Sequence, residues 1–307
     1  MTEPARKGVV LEPTVCAICG TLGNTDELYP ATLDESSFSE SIFSARRLPD
    51  RIHYRMVRCR NCGLVRSDPA AAQSDLSELY RRSTFDYAPE VPNLRRTYSR
   101  YLTRARRYTK GWSLLEVGCG SGFMLEEALA LGYREVRGVE PSRDAIAAAP
   151  PSIGDRIVPD IMRPGLFDRG EFDTACLFQV FDHLPEPGVL LDLMRTALSA
   201  GGVLLCFNHN VESASAQILG ERSPIVDIEH CYLYSPRTMR VLFEKHGFDV
   251  LESGAATNTL SLRHFLHLLP APAALKRRLM SAAGRTRIDG VPLRLRLGNL
   301  YTIGRVA

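Results

Sequence analysis

Residues 112–142 read WSLLEVGCGSGFMLEEALALGYREVRGVEPS, and this stretch decides the fold class. An apolar strand, SLLEV, leads into a glycine-rich turn, then an amphipathic helix, then a second strand that ends in GVEP. Strand, turn, helix and strand in this order form the βαβ unit of a sheet with helices on both faces. The sequence therefore predicts an α/β protein built on a doubly wound, Rossmann-like and mostly parallel sheet.

The turn after the first strand has the composition of a ligand site. Ligands of such sheets bind at the carboxyl ends of the strands, where glycines let the backbone pass close to them. Glu140, at the end of the second strand, can accept hydrogen bonds from two adjacent ribose hydroxyls, which indicates an adenosine-type cofactor. The glycines of the turn are Gly118, Gly120 and Gly122.

Glu140 would also suit NAD, but the dinucleotide pattern G-x-G-x-x-G is not matched. Counted from Gly118, its last glycine falls on Phe123. The acidic residue Glu116 precedes the turn, and a carboxylate there suits a cofactor with an ammonium group better than a pyrophosphate.

Length and composition set the frame. The 307 residues are 45% hydrophobic and 24% charged, which predicts one large domain and a smaller unit. The net charge of +3 permits anionic partners without requiring a polyanion. The opening residues MTEPARKGVV carry no long apolar run, and no stretch of about 18 apolar residues follows. These features predict a cytoplasmic protein with no membrane partner.

Two cysteine pairs near the start share one pattern, CAICG at residues 16–20 and CRNCG at residues 59–63. Four other cysteines are scattered, which argues against a disulfide framework. Two thiolates in a tight turn can share one tetrahedral ion, and two such turns complete a closed four-sulfur shell. A redox role is disfavoured because the pattern occurs twice. The expected ligands of a structural zinc ion are Cys16, Cys19, Cys59 and Cys62.

From this point the chain resembles the class I S-adenosylmethionine-dependent methyltransferases. The motifs EVGCGSG, GVEP, RIVPDIM, FDTACLFQVFDHLPEP, LMRTALSAGGVLLCFN and FEKHGFDV follow in the order of that family across about residues 112–253. The resemblance implies a seven-stranded sheet and S-adenosyl-L-methionine as the cofactor. The residues expected to bind it are Tyr87, Glu116, Gly118, Cys119, Gly120, Gly122, Phe123, Glu140, Pro141, Asp160, Ile161 and Gln179.

The resemblance also implies separate tasks within this set. Glu116 would hold the amino-acid end of the cofactor, Glu140 the ribose and Asp160 the adenine amino group. Gln179 would lie near the methionine moiety. For Asp160, an ordinary acidic loop residue remains the alternative.

Methyl transfer needs a group that removes a proton from the acceptor. The candidates are His183, which follows the fourth strand, and the pair Glu229 and His230 ahead of a helix that begins at Ser235. A structural role for His183 is equally open, because a histidine at this position accompanies unrelated substrates in the family. His209, after the fifth strand, is a third histidine to consider.

The zinc module and the core together resemble zinc-binding methyltransferases of bacterial deoxysugar and natural-product pathways. That resemblance implies a small-molecule acceptor, such as a nucleotide-linked keto-sugar, with Tyr87, His183, Glu229 and His230 at the site. Those sugar enzymes carry a further C-terminal domain of substantial size, whereas the last residues of this sequence, LRLRLGNLYTIGRVA, have the pattern of the family's last antiparallel strand. The acceptor therefore stays open between sugars and other scaffolds.

The predicted organisation is a zinc ribbon over residues 1–73, a helical lid over 74–110 and a cofactor domain over 111–307. A helical insert at about 257–289 would lie near the active-site mouth or form a homodimer contact.

RNA methylation is disfavoured by the modest charge and by QVFDHLPEP in place of an Asn-Pro-Pro-Tyr motif. A non-catalytic zinc-ribbon interaction protein is the alternative outside enzymology. A magnesium-dependent O-methyltransferase is also disfavoured, because Asp173 begins the fourth strand instead of ending it and no acidic cluster suitable for the ion follows.

Overall fold

A computed structural model describes residues 9–34, 37–38, 42–43, 51–83, 90–269, 271–286 and 288–307. The strands within these residues are β1 (Leu11–Glu12), β2 (Thr25–Tyr29), β3 (Met56–Cys59), β4 (Val65–Ser67), β5 (Ala70–Ala71), β6 (Ser113–Val117), β7 (Glu135–Val139), β8 (Ile157–Val158), β9 (Phe172–Phe178), β10 (Leu198–His209), β11 (Tyr232–Leu233), β12 (Phe248–Ala255), β13 (Asn258–Ser261), β14 (Pro292–Leu295) and β15 (Asn299–Val306).

The helices within the same residues range from single turns to 15 residues. They are α1 (Gln73–Arg81), α2 (Val91–Ala105), α3 (Phe123–Ala130), α4 (Arg143–Ala147), α5 (Pro151–Gly154), α6 (Pro187–Ala197), α7 (Ala214–Leu219), α8 (Pro236–Lys245), α9 (Leu262–Leu268) and α10 (Ala273–Arg285). None of the helices in the described residues is long and apolar enough to span a bilayer.

The core is a seven-stranded sheet in the order β12-β15-β10-β9-β6-β7-β8. The strands β10, β9, β6, β7 and β8 run parallel to one another. Strand β15 is antiparallel to both of its neighbours, β10 and β12. The strands β6, β9 and β10 read as nearly continuous buried runs, because helices cover both faces of a parallel sheet. The predicted doubly wound, mostly parallel seven-stranded sheet is confirmed.

Helix α2 packs its apolar stripe onto the core beside α3. The Tyr98 ring stacks on the Phe178 ring with centroids 4.4 Å apart, and Leu102 and Ala105 are fully buried. Two of its arginines pair with carboxylates, Arg95 with Glu126 and Arg104 with Glu252. The helical stripe of this segment therefore forms core contacts.

The ribbon sheet contains one strand from the second half of the chain. Its order is β11-β4-β3-β2, and Tyr232 and Leu233 of β11 pair with Arg66 and Val65 of β4. Because β11 directly follows Glu229 and His230, the ribbon and the predicted base segment share one sheet. The domain limits at residues 73 and 111 stay a prediction, but the two units are joined by this strand.

The segment between the core strands β12 and β15 contains the helices α9 and α10. The structure adds a hairpin, because β13 pairs with β14 from Asn258 opposite Leu295 to Ser261 opposite Pro292. Strand β13 also contacts α2, where the Thr97 hydroxyl accepts a hydrogen bond of 2.8 Å from the Thr259 amide. The insert is therefore attached to the core at its base.

Candidate active site

The glycine turn ends β6 at the carboxyl edge of the sheet. Gly118, Gly120 and Gly122 all have positive φ values, at 71°, 55° and 73°. A Cβ atom on Gly118 would lie 2.4 Å from Val180 Cγ2, so both the backbone conformation and the space require glycine. Gly122 does not line the central cavity; a Cβ there would meet Ile153 behind the turn.

Glu140 fixes the shape of the turn. Its two carboxylate oxygens accept hydrogen bonds of 2.8 Å from the amides of Gly120 and Ser142. Burial raises the pKa of Glu140, and these two amides oppose the rise. Because each carboxylate oxygen can accept more than one hydrogen bond, Glu140 can also receive the hydroxyls of a ribose.

Glu116 is the buried acid at the end of β6. It is 2% exposed, and its Oε2 atom has no hydrogen-bond partner among the described residues. Burial, and then the charge of Glu140, raise its pKa well above the usual range. A buried carboxylate oxygen without a donor is costly, so an ammonium group of a ligand would satisfy it. The residues present therefore fit the amino-acid end of S-adenosylmethionine.

Gln179 follows β9 and lies in the cavity wall. It has a φ of 59°, which is strained for a side chain other than glycine, and its buried Oε1 atom has no partner among the described residues. The backbone amide of Gln179 donates a hydrogen bond of 2.7 Å to the Phe207 carbonyl, which holds the backbone in this conformation. The side chain is thus held towards the site with one polar atom unsatisfied.

Asp160 lies at the rim of the same cavity. Its carboxylate accepts hydrogen bonds from the Ile161 amide at 2.8 Å and from Arg163 Nε at 2.7 Å. The Arg163 contact lowers the pKa of Asp160 against the effect of burial. The other predicted cofactor residues that line the cavity are Cys119, Phe123, Pro141 and Ile161. Tyr87 lies outside the described residues.

A single cavity of about 1150 Å³ runs from the glycine turn to a group of histidines. Sites for single small ligands are roughly 300–1,000 Å³. The cavity therefore has room for a cofactor and a second molecule.

The histidine end is built around the buried Asp182, which lies in a short helical turn after β9. His209 Nδ1 lies 2.5 Å from Asp182 Oδ2, and the His209 amide donates to the same oxygen at 3.1 Å. Burial opposes ionisation of Asp182, but His209, and to a lesser degree His230 and His183, hold its pKa well below the usual range. Because an ionised carboxylate only accepts, His209 Nδ1 is the donor in this contact.

The two predicted histidine bases stand beside this pair. The His230 ring centroid is 4.4 Å from that of His209 and 4.9 Å from that of His183. His230 Nδ1 donates to the Ile225 carbonyl at 2.8 Å, which leaves Nε2 as an acceptor. Burial, and then His209, lower the pKa of His230, so its ring stays neutral near pH 7. Glu229 is buried and lines the same cavity.

His183 contacts helix α1 through Tyr80. Its Nδ1 atom lies 2.9 Å from the hydroxyl of Tyr80 on α1, and its Nε2 atom lies 3.8 Å from Asp182 Oδ1. The sequence reasoning missed Tyr80 and Asp182. The only available signal for Asp182 was the DH dipeptide at residues 182–183, because its partner His209 lies on a strand 27 residues further on.

The four cysteines of the two pairs meet at the tip of the ribbon. Cys16 and Cys62 have sulfurs 3.4 Å apart, those of Cys19 and Cys59 are 3.5 Å apart, and all four ligand atoms lie within 4.8 Å of one another. Zinc–sulfur bonds of 2.3 Å at tetrahedral angles place sulfurs about 3.8 Å apart. The donor set and spacing fit one zinc ion.

Side chains of helix α8 hold the backbone of both cysteine pairs. Lys245 of α8 donates hydrogen bonds to the carbonyls of Ala17 and Ile18, at 3.0 and 2.9 Å. Arg237 of the same helix donates to the carbonyl of Cys62 at 2.5 Å. The cysteine cluster is therefore fastened to the segment that follows Glu229 and His230.

Residues 90–253, more than half of the 307-residue chain, match the family model described as a methyltransferase domain. A ubiquinone biosynthesis O-methyltransferase of Paraburkholderia xenovorans is 27% identical over 38% of this chain and 53% of its own length. That of Bradyrhizobium sp. is 31% identical over 50% of this chain and 67% of its own length. The chain spans about half the length of the first curated relatives that it matches.

A SAM-dependent methyltransferase of Archaeoglobus fulgidus superposes with a TM-score of 0.45 and 18% identity over 70% of this chain and 97% of that chain. The family match covers the glycine turn, both acidic strand ends and the Asp182–His183 segment. The expectation of a methyltransferase domain from the motif order is confirmed. The chain belongs to the methyltransferase-domain family.

Proposed function

We propose that the protein transfers a methyl group from S-adenosyl-L-methionine to a small-molecule acceptor. The observation that carries this proposal is one continuous cavity. At one end it has the glycine turn and the unsatisfied Oε2 atom of Glu116, and at the other it has three histidines around Asp182. A cationic cofactor and a deprotonated acceptor are the two molecules that these ends would favour.

The cofactor residues would bind and orient. Glu116 would receive the ammonium group, Glu140 the ribose hydroxyls and Asp160 the adenine amino group, while Gln179 would contact the methionine moiety. S-Adenosylmethionine would supply an activated methyl group on a sulfonium. The task of the chain is then to hold the acceptor in line and to exclude water.

Proton removal falls to the histidine end. His230 is neutral and presents Nε2 as an acceptor, because Nδ1 is engaged by Ile225. His209 is held by Asp182 through Nδ1, so Asp182 fixes the orientation of its ring. His183 and Glu229 complete the candidate bases. A neutral imidazole at His230 supports an acceptor that must lose a proton, which is a hydroxyl or a carbon acid next to a carbonyl.

The acceptor class is proposed from two supports. The matched relatives are named as O-methyltransferases, which favours an oxygen nucleophile. The second half of the cavity is lined by apolar residues of α6, α7 and α9, among them Leu193, Leu219 and Leu268. Of the two acceptor classes that the sequence suggests, these walls favour a natural-product intermediate with an apolar body over a nucleotide-linked sugar.

The cysteine cluster is proposed as a structural zinc site. Four cysteines would fill a tetrahedral shell, leaving no position for water or substrate. Zinc would then stabilise the ribbon, whose strand β4 pairs with β11 next to Glu229 and His230.

The test combines binding and turnover. The zinc-loaded protein should bind S-adenosylmethionine in a calorimetric titration, and it should label acceptors from a panel of hydroxylated aromatics, keto-acids and nucleotide-linked sugars with tritiated methyl groups. His230→Ala, His183→Ala and Glu229→Gln should lose turnover where the residue removes the proton, while cofactor affinity is kept. Failure to bind the cofactor would favour the zinc-ribbon interaction protein. Tight, salt-dependent RNA binding would favour RNA methylation.

A further inference from the structure

The insert between β12 and β15 concentrates positive charge. Within residues 257–297 the chain has eight basic residues and one acidic residue, Asp289. Because the whole chain carries a net charge of only +3, the rest of it is net negative. The basic residues of the insert are Arg263, Lys276, Arg277, Arg278, Arg285, Arg287, Arg294 and Arg296.

The same insert exposes large apolar side chains. Leu275 is 47% exposed and Leu279 is 39% exposed, and these two lie one turn apart on α10. Ile288 and Val291, just after the helix, are each about as exposed as Leu275. Arginines 277, 278 and 285 are exposed on the same helix. Exposed leucines mixed with arginines on a surface helix are typical of helices that lie in a membrane interface.

A basic cleft lies at the root of the insert. A cavity of about 550 Å³ is lined by four arginines from α2 and β14 and by one acid, Glu127, together with Ser99, Thr259 and Pro292. Glu127 pairs with Arg95 at 3.4 Å, so the cleft keeps a positive balance from its other arginines. The arginines are Arg95, Arg96, Arg100 and Arg294. Thr259 of β13 lines both this cleft and the central cavity, so a single strand separates the two. Arginine clusters of this kind suit phosphate groups.

Apolar side chains line the central cavity on the side of the insert, beside the polar Arg263, His264 and His267 of α9. They include Phe265 and Leu269 of the α9 segment. Ile218 of α7, which is 82% exposed, and Val189 of α6 line the same cavity. Apolar side chains in this number at an opening cost solubility unless a partner covers them. The exposed apolar surface of the insert and the rim of the cavity therefore belong to one region of the molecule.

We propose that the insert docks this protein on an anionic phospholipid surface. Leu275 and Leu279 would enter the interface, the arginines of α10 and of the basic cleft would contact lipid phosphates, and the apolar mouth would take its acceptor from the lipid phase. This is a peripheral contact and requires no membrane-spanning segment. It goes beyond the methyl-transfer proposal, because the surface can bind lipid whether or not the cavity binds a cofactor.

The experiment is co-sedimentation of the zinc-loaded full-length protein with vesicles. One set contains phosphatidylcholine alone, and the other contains equal parts of phosphatidylcholine and phosphatidylglycerol. Two double variants test the two components, Arg277→Glu with Arg278→Glu and Leu275→Ser with Leu279→Ser. The matched control is Arg137→Glu with Arg169→Glu, two exposed arginines that line neither cavity. Cofactor affinity is measured for each protein.

The proposal predicts binding to the phosphatidylglycerol vesicles and little binding to phosphatidylcholine alone. Each insert variant should weaken the partition by about tenfold or more, and the control should not. Cofactor affinity should be equal throughout. The proposal is overturned if the wild-type protein does not bind, if the control pair loses as much binding as the arginine pair, or if the leucine pair has no effect. It is also overturned if sedimentation equilibrium without vesicles shows a dimer that the leucine pair abolishes, since a second copy would then cover this face.

Discussion

The Ser67 hydroxyl donates a hydrogen bond of 2.9 Å to the backbone carbonyl of His230, and the Ser67 amide donates one of 2.9 Å to the Cys231 carbonyl. Ser67 ends the ribbon strand β4, and His230 is one of the proposed bases. The ribbon that carries the cysteine cluster is therefore bonded directly to the backbone of the candidate active site. Metal binding and base position are expected to be coupled through this strand pair.

Removing the hydroxyl of Ser67 tests this coupling. Ser67→Ala leaves the buried carbonyl of His230 without that donor, which should cost about 1–3 kcal/mol of stability. Amide hydrogen exchange should rise in the 230–234 segment. Thr196→Ala is the control, because the Thr196 hydroxyl lies on the exposed side of α6 and donates to the Asp192 carbonyl of the same helix. Equal exchange in the two variants would contradict the coupling.

Removing one zinc ligand should act on the same segment. Cys59→Ser should release the metal, and because a structural zinc contributes on the order of 10 kcal/mol to its module, the ribbon should unfold. Zinc content by mass spectrometry should fall to near zero, while S-adenosylmethionine binding at the glycine turn persists. Cys206→Ala, a buried core cysteine outside the cluster, should keep its zinc. Full turnover after chelation would argue against a structural link.

Glu116 should lower the stability of the cofactor-free protein at pH 7 and increase its affinity for the cofactor. Its pKa is raised in the folded protein above the ordinary 4.5, so its contribution to stability is complete below that value and is lost as pH rises. At pH 7, Glu116→Gln should therefore raise the melting temperature of the cofactor-free protein. It should also weaken S-adenosylmethionine binding by about 10- to 100-fold, since a buried charge-assisted contact is lost.

The control for Glu116 is Glu135→Gln, an exposed acid at the start of β7. It should change neither the melting temperature nor the affinity appreciably. A Glu116→Gln protein that binds the cofactor as tightly as the wild type would remove this residue from the proposed site.

Asp182 has the opposite pH dependence. Its folded pKa lies below the ordinary 3.8, so the ionised group stabilises the fold above that pH, and the contribution declines as pH falls from about 4 downward. Asp182→Asn should cost about 2 kcal/mol at pH 7 by weakening the bond to His209. Denaturant unfolding should show the difference from the wild type shrinking below about pH 4. A difference that is constant with pH would contradict the ionised pair.

Gly118 should not tolerate a side chain. Gly118→Ala places a methyl group 2.4 Å from Val180 Cγ2 at a φ of 71°, so we expect a loss of at least about 1 kcal/mol and weakened cofactor binding. Gly154→Ala is the matched control, because its Cβ would meet nothing within 4 Å and its φ is not positive. Thermal unfolding and calorimetric titration of both variants measure the difference.

The sequence predicted those parts of the molecule that depend on local pattern. The strands β6, β9 and β10 are largely apolar runs, and the glycines and acids after β6 and β7 follow from the chemistry of a cofactor turn. The cysteine cluster could also be predicted from the sequence, because each pair lies within one short turn. The start of α8 at Ser235 was also predicted, and the Ser235 hydroxyl caps the helix by accepting a hydrogen bond from the Thr238 amide.

Contacts between distant segments could not be read in this way. Strand β11 has two residues and gives no periodic signal, so its pairing with β4 was missed. Asp182 and His209 meet only because two neighbouring parallel strands end at the same edge of the sheet. Tyr80 reaches His183 from a helix that the sequence treats as part of a lid. Each of these contacts depends on the folded sheet.

A crystal structure of the protein with S-adenosylhomocysteine tests the central claim most directly. The account predicts the ammonium group of the ligand within hydrogen-bond distance of Glu116 Oε2, the ribose hydroxyls on Glu140, and the sulfur facing the end of the cavity that holds His183, His209 and His230. A ligand bound elsewhere, or one whose sulfur faces away from these histidines while Glu116 stays without a partner, would contradict it.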